Sequence, residues 1–274
     1  MASAAPFGSL MSSAFTFFQM YKKPIFSGAV LFTVLVTMPQ IFMQKWGSPQ
    51  NISTATSTEL TAVAVGLCVW IVISFLNYAY YLSVFIDQQK DMTSGIRGAG
   101  RLVWRLIGMS VVVFLRTYSW IILLSVPLFI MGRAYTPLAF LVIVFGIACA
   151  IIRGPRFFLA PILIAGGDAN VRHAVSESYA KTKGYWGKIV GNVILISLFC
   201  MILIIIVSMI LGMLVGIAGV SLNMKANTSV AMTLSVVTML LYGYISQLYQ
   251  AYISAFHVKL AATIIASPRG TISA

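Results

Sequence analysis

Catalysis of acyl, phosphoryl or glycosyl transfer needs a nucleophile with a base, a pair of carboxylates or a cage of metal ligands. This chain holds few residues of those kinds. Its acidic residues are Glu59, Asp87, Asp91, Asp168 and Glu177, and its histidines are His173 and His257. Asp87 and Asp91 stand one helical turn apart, as do His173 and Glu177. The first pair has no histidine beside it to complete a metal site, and the second reads as the solvated face of a surface helix. No phosphate-binding P-loop, G-x-S-x-G elbow or H-E-x-x-H helix occurs. Cys68, Cys149 and Cys200 sit inside apolar runs without C-x-x-C spacing, and read as packing residues rather than disulfides or ligands. The expectation is a chain with no catalytic set, no cofactor and no metal.

Polar groups set within apolar runs give a sharper signal. Arg116, in "VVVFLRTYSW", lies about ten residues into a run beginning near position 106, which puts it near mid-bilayer in a straight span. A charge there must face protein, water or a lipid phosphate. Asn77, Tyr78 and Tyr81 on one run, and Gln247 and Gln250 on another, are the candidates to meet it. Gly243, Gln247, Gln250, Ser254 and His257 recur at alternating four and three residues, which makes a polar stripe on one helical face. Two readings follow: a polar cavity or headgroup groove lined by Arg116 and that stripe, or interhelical hydrogen bonds that fix packing while Arg116 snorkels. Arg153 and Arg156 could hold an anionic phosphate or serve as an interfacial anchor. Gly212 and Gly216 have the spacing that lets a second helix approach closely, within the chain or between protomers.

The elements that must carry these residues are membrane spans. Of 274 residues, 60% are hydrophobic and 8% charged, against about a quarter charged in soluble domains. Several apolar runs exceed the roughly 20 residues that cross a hydrocarbon core. The net charge of +13 is spread along hydrophobic segments rather than gathered on a polar domain, which argues against nucleic acid as partner. The chain reads as a single all-α integral membrane domain, 1–274, a polytopic membrane protein with six transmembrane helices near 24–43, 60–86, 106–131, 135–163, 189–221 and 232–262. Pro155 and Pro161 mark the fourth as the one to bend. Most of the eighteen Lys and Arg fall before span one, between spans two and three, between spans four and five, and after span six; Lys45, Arg133 and Lys225 fall on the other side. That asymmetry predicts cytoplasmic N- and C-termini. Asn51 and Asn227 match the glycosylation acceptor pattern in the external loops, a short pattern that chance supplies often.

An amphipathic stretch precedes each odd-numbered span. "FGSLMSSAFTFFQMYKK" places Phe7, Leu10, Met11, Ala14, Phe17, Phe18 and Tyr21 on one face, opposite Ser9, Ser12, Ser13, Thr16, Gln19 and Lys23. "RHAVSESYAKTKGYWGK" turns Val175, Ser178, Tyr179, Thr182 and Trp186 one way, with Asp168 set to cap the helix and Gly184 to end it. "DMTSGIRGAGRLVWR" is similar but rich in glycine. Tyr81-Leu82-Ser83, Phe158-Leu159-Ala160 and Tyr252-Ile253-Ser254 echo one another on the even spans. The order suggests three copies of an interfacial helix, a span and a returning span; the other reading is a generic six-span protein with basic amphipathic loops.

The segment "RGPRFFLAPILIAGGDANVRHAVSESYAKTKGYWGKIVGNVILISL" resembles the signature of YciC-like proteins and of the membrane domain attached to some glycerophosphodiester phosphodiesterases, with Ala174, Ser178, Lys183, Gly184 and Trp186 carrying the last element. Ala165-Gly166-Gly167 stands where relatives often carry an acidic residue. The resemblance implies a bacterial-type plasma membrane and no settled reaction; the phosphodiesterase barrel is a separate unit, absent here. The expected function is non-enzymatic: interaction with membrane lipids, through anionic headgroups of the cytoplasmic leaflet, or with a membrane-protein partner or second copy, in envelope organisation. The alternative is a small transporter or permease-like subunit with a polar pathway past Arg116 and the stripe of span six.

Overall fold

The computed structural model describes residues 6–46, 57–131, 136–167, 170–221 and 228–266. Asn51, Asn227, Asp168 and the cations Arg133, Lys225 and Arg269 lie outside the described residues. Regular structure among the described residues is all helical. In chain order it comprises α1 (Phe7–Met20), α2 (Lys22–Trp46), α3 (Ser57–Ile86), α4 (Met92–Met131), α5 (Thr136–Arg153), a 3-10 turn (Gly154–Phe157), α6 (Ala160–Ala165), α7 (Val171–Lys181), α8 (Trp186–Ser221) and α9 (Thr228–Ala266). Four segments among the described residues are long and apolar enough to cross a bilayer: Thr61–Ile86, Met92–Ser119, Val144–Ala165 and Trp186–Ile217. They are compatible with a membrane-embedded protein.

Two boundaries differ from the sequence reading. The glycine-rich stretch before residue 106 is not a separate element, because α4 is one helix of 40 residues, about 60 Å long at 1.5 Å per residue. The run expected over 135–163 is broken. Helix α5 ends at Arg153, Gly154–Phe157 forms a 3-10 turn with Pro155 in its first positions, and α6 restarts at Ala160. Proline lacks an N–H to donate and its ring crowds the carbonyl four residues earlier, so the helix yields where the sequence placed the bend.

The packed core lies towards the cation-rich ends of the helices. One cluster joins Ile25 and Phe32 of α2, Ala79–Phe85 of α3, Leu102 and Leu106 of α4, Phe157, Ile164 of α6, Val175 of α7 and Ala251 of α9. A second joins Leu10 and Ala14 of α1, Leu159, Ile189 and Ile196 of α8, and Phe256, Leu260 and Ile264 of α9. Away from this layer the helices turn apolar side chains outward: Val65, Leu67 and Val69 on α3, Phe145 and Ile147 on α5, Met209, Met213 and Ile217 on α8. Only 11% of the most apolar window of α3 or α8 is buried within the protein. Side chains so apolar and so exposed fit a hydrocarbon solvent, not water.

Helix α1 docks one face on protein. Leu10 and Ala14 are buried while Ser9, Ser12, Ser13, Thr16 and Gln19 are exposed. Phe7 meets Phe256, Phe18 meets Tyr252, the Tyr252 hydroxyl donates to the Met11 carbonyl at 3.3 Å, and Lys259 Nζ stands 4.0 Å from the centre of the Phe17 ring. These contacts tie the first helix to the last.

Close approach comes from glycines other than the Gly212–Gly216 pair. The Tyr80 side chain of α3 is fully buried and its hydroxyl donates to the Pro24 carbonyl of α2 at 2.6 Å. Its ring fills the space that a β-carbon would take on Gly28 of α2 and on Gly95 of α4, with nearest approaches of 2.3 Å and 2.7 Å. Gly98 likewise admits Ser83, whose Oγ would lie 1.9 Å from an added β-carbon. A β-carbon on Gly212 or Gly216 would meet nothing within 4 Å. Gly28→Ala should therefore lower thermal stability in detergent, the overpacking cost of about 1–3 kcal/mol outweighing the gain of about 1 kcal/mol in helix propensity. Gly212→Ala should leave the melting temperature unchanged or raise it; equal destabilisation by the two would refute this packing.

Candidate functional site

The polar helix α7 and the break between α5 and α6 form one unit. A helix end leaves its last carbonyls and the next helix's first amides without partners, and a buried amide or carbonyl left so costs about 1–3 kcal/mol. Helix α7 supplies those partners from residues spaced four apart. Ser178 Oγ donates to the Arg156 carbonyl at 2.9 Å and accepts from the Leu159 amide at 3.1 Å. The Thr182 hydroxyl lies 3.0 Å from the same Arg156 carbonyl and 2.8 Å from the Ser178 carbonyl one turn back. Trp186 Nε1, at the start of α8, lies 3.1 Å from the Ile152 carbonyl and 3.3 Å from that of Ile151, in the last turn of α5. Ser178 and Thr182 are buried, so water does not compete for these bonds.

Charged groups hold the same unit from outside. The Arg156 guanidinium lies 4.7 Å from the centre of the Tyr179 ring and donates to its hydroxyl. Arg105 of α4 reaches the Gly167 carbonyl at 3.4 Å, behind α6. Helix α7 is capped by Asn170, whose side chain accepts from the Arg172 amide at 3.3 Å; Asp168, the cap expected from the sequence, lies outside the described residues. Asparagine in extended backbone immediately before the first turn is the favoured geometry. Gly184 follows the helix with φ at 88°, the left-handed conformation expected of it. Glu177 pairs with Lys181 at 2.6 Å and stands 3.6 Å from exposed His173.

The six polar residues singled out in the sequence fall into three places. Asn77 Nδ2 donates to Gln247 Oε1 at 2.8 Å, and both side chains are buried between α3 and α9. Gln250 is partly buried one turn further, where its carbonyl accepts from Ser254. Arg116 is exposed on α4, and among the described residues no hydrogen bond or ion pair joins it to Asn77, Gln247 or Gln250. Its backbone carbonyl instead accepts from Arg153 Nη1 at 3.2 Å. Arg116 is therefore level with the end of α5 and with Trp186. Counted from Met131 it is about 22 Å along the helix. Arg156 belongs to the α7 unit described above.

Three recesses lie near these residues. A crevice of about 230 Å³ between α4 and the helix break is lined by Tyr78, Ser110, Gly154, Phe157 and His257, among others. His257 Nε2 is buried without a hydrogen-bond partner among the described residues, and its ring meets that of Phe158 edge-on at 5.1 Å. A polar cleft of about 610 Å³ holds Asp87, Arg101 and Arg105 beside Gly166 and Gly167. An apolar recess of about 530 Å³ is bounded by Phe15, Phe18, Phe199, Leu203 and Tyr249. Among the described residues no three of His, Cys, Asp and Glu gather to hold a metal ion. The crevice was not legible in the sequence beyond Tyr78 and His257, since Ser110 and Gly154 come from other elements.

Two substitution series test this geometry. Ser178→Ala strands the Leu159 amide and should cost about 1–3 kcal/mol, whereas Thr182→Ser keeps the hydroxyl and should cost under about 1 kcal/mol; both are read from thermal unfolding in detergent. The double substitution Asn77→Leu with Gln247→Leu should cost less than the sum of the two single ones, by a coupling of about 0.6 kcal/mol and at most about 1.7. Additive effects would mean that the Asn77–Gln247 bond contributes nothing. No protein-family model matches the chain, and no curated protein or solved structure does.

Proposed function

We propose that the chain is a non-enzymatic integral membrane protein that interacts with lipids or partner proteins at an anionic cytoplasmic leaflet. The observation that carries this reading is the distribution of polar groups. Asn77 and Gln247 close on each other where α3 meets α9, while the arginines and lysines fall mostly in the stretches before spans one, three and five and after span six. A polar pathway would need those groups open to a continuous lumen. Cations beside an anionic leaflet, in contrast, are attracted by about 1 kcal/mol each.

In this reading the chain makes six spans, with both termini on the cation-rich, cytoplasmic side, in a bacterial-type plasma membrane. The threefold unit has support in how the interfacial helices seat. Helix α7 bonds to Arg156 and Leu159 at the end of span four, the start of α4 packs Gly98 on Ser83 at the end of span two, and α1 accepts the Tyr252 hydroxyl of span six. Each interfacial helix thus seats under the even span before it, and α1 closes the ring. The resemblance to YciC-like proteins rests on this same segment: Ser178 and Trp186 are the residues that close the break.

Reconstitution tests the function. Proteoliposomes should show no solute flux above protein-free vesicles, and protein taken up in mild detergent should carry anionic lipid above its share of the source membrane. Flux that Arg116→Ala abolishes would establish the transporter reading instead. A reporter fused after Lys183 should give a cytoplasmic signal and one after Lys45 an external signal; the reverse would invert the topology.

A further inference from the structure

Arg116 and Arg153 create an electrostatic problem that the described protein does not solve. They lie on adjacent helices, both exposed, and Arg153 spends one donor on the Arg116 backbone carbonyl. Neither guanidinium has an ion pair among the described residues. Their surroundings are not aqueous in character. Phe114 and Leu115 flank Arg116, and Ile151 and Ile152 precede Arg153, all exposed apolar side chains suited to acyl chains. A guanidinium at such a surface is stabilised by an anion that itself belongs at the lipid boundary, and the planar fork of arginine matches phosphate oxygens.

The crevice beside the two arginines supplies the rest of a site. Val113, one turn before Arg116, and Gly154, next after Arg153, both line it. Tyr78, Ser110 and His257 also line it, no carboxylate does, and His257 Nε2 has no hydrogen-bond partner among the described residues. Its volume of about 230 Å³ accommodates a small polar headgroup and not a second acyl chain. A buried imidazole nitrogen without a partner is costly, and a ligand hydroxyl would satisfy it.

We propose that this crevice binds one anionic phosphodiester lipid with a hydroxylated headgroup. Arg116 and Arg153 take the non-bridging phosphate oxygens, a headgroup hydroxyl reaches His257 Nε2, and the acyl chains run along the apolar surface of α5. The proposal rests on the lipid-interaction reading above and makes it specific to one stoichiometric site.

The test is native mass spectrometry of the delipidated full chain, titrated with phosphatidylglycerol, phosphatidylmethanol and phosphatidylcholine of identical acyl chains. One phosphatidylglycerol should bind at least about tenfold more tightly than phosphatidylcholine. Arg116→Gln and Arg153→Gln should each weaken it about fivefold, and together about 25-fold. Arg116→Lys should retain most of the affinity, and Lys22→Gln with Lys23→Gln should leave it within about twofold, as distant charges contribute little at ordinary salt. His257→Phe should weaken phosphatidylglycerol but not phosphatidylmethanol, which has no free hydroxyl. Circular dichroism and elution volume verify that each variant is folded. A preference that survives the double arginine substitution, or that falls equally in the lysine variant, overturns the site while leaving general lipid interaction standing. Loss of any anionic preference in the unsubstituted chain overturns both readings. Displacement of the lipid by millimolar inorganic phosphate would make this a soluble-phosphate site and overturn the lipid assignment.

Discussion

Backbone amides and carbonyls that leave a helix inside an apolar environment must find partners, and the break after Arg153 is where this chain meets that demand. Gly154 and Pro155 end α5, and every later feature of the layer follows from how the freed groups are satisfied. Ser178 serves the Arg156 carbonyl and the Leu159 amide at once, Thr182 lies against the same carbonyl, and the Trp186 indole takes the last turn of α5. These three side chains stand one above another on α7 and its continuation, so the most polar stretch of the sequence is held inward by the bonds it provides. Its outward face carries Arg172, His173, Glu177 and Lys183 to solvent.

Packing around that unit explains why the protein is dense at one end and open at the other. At the dense end, glycines allow helices to close on buried side chains: Tyr80 sits between Gly28 and Gly95, and Ser83 against Gly98. Towards the other end α3, α5 and α8 present exposed valine, isoleucine, leucine and methionine. Apolar helices gain nothing from each other over lipid tails except through shape, small residues and hydrogen bonds. Close association is therefore found where those devices are present, and it lapses along α8, where Gly212 and Gly216 meet no neighbour. The layer of cations, the helix break and the crevice at His257 coincide because all three belong to the dense end.

A good deal of this was legible in the residues. The apolar runs marked the long helices, Pro155 marked the break, Gly184 marked the end of α7, and the alternation of serine with phenylalanine gave the two faces of α1. What could not be read was which surface each face would meet. The α1 face suggested a membrane and found α9; the α7 face suggested a leaflet and found the α5–α6 break. Asn77 and Gln247 each stand out as amides within apolar runs, yet their bond spans positions 170 apart and no local pattern announces it.

The sequence by itself determined that the chain is helical and apolar, where its cations lie and where its helix must yield, because hydropathy, charge and proline act through nearest neighbours along the chain. Tertiary structure decided the placement of Arg116 beside Arg153, the capture of Ser178 by a carbonyl 22 residues earlier, and the convergence of Tyr78, Ser110, Gly154 and His257 on one crevice. Those outcomes depend on how long α4 runs and on which helices small residues allow to meet. Both are set by three-dimensional packing, in which residues far apart in the chain become neighbours.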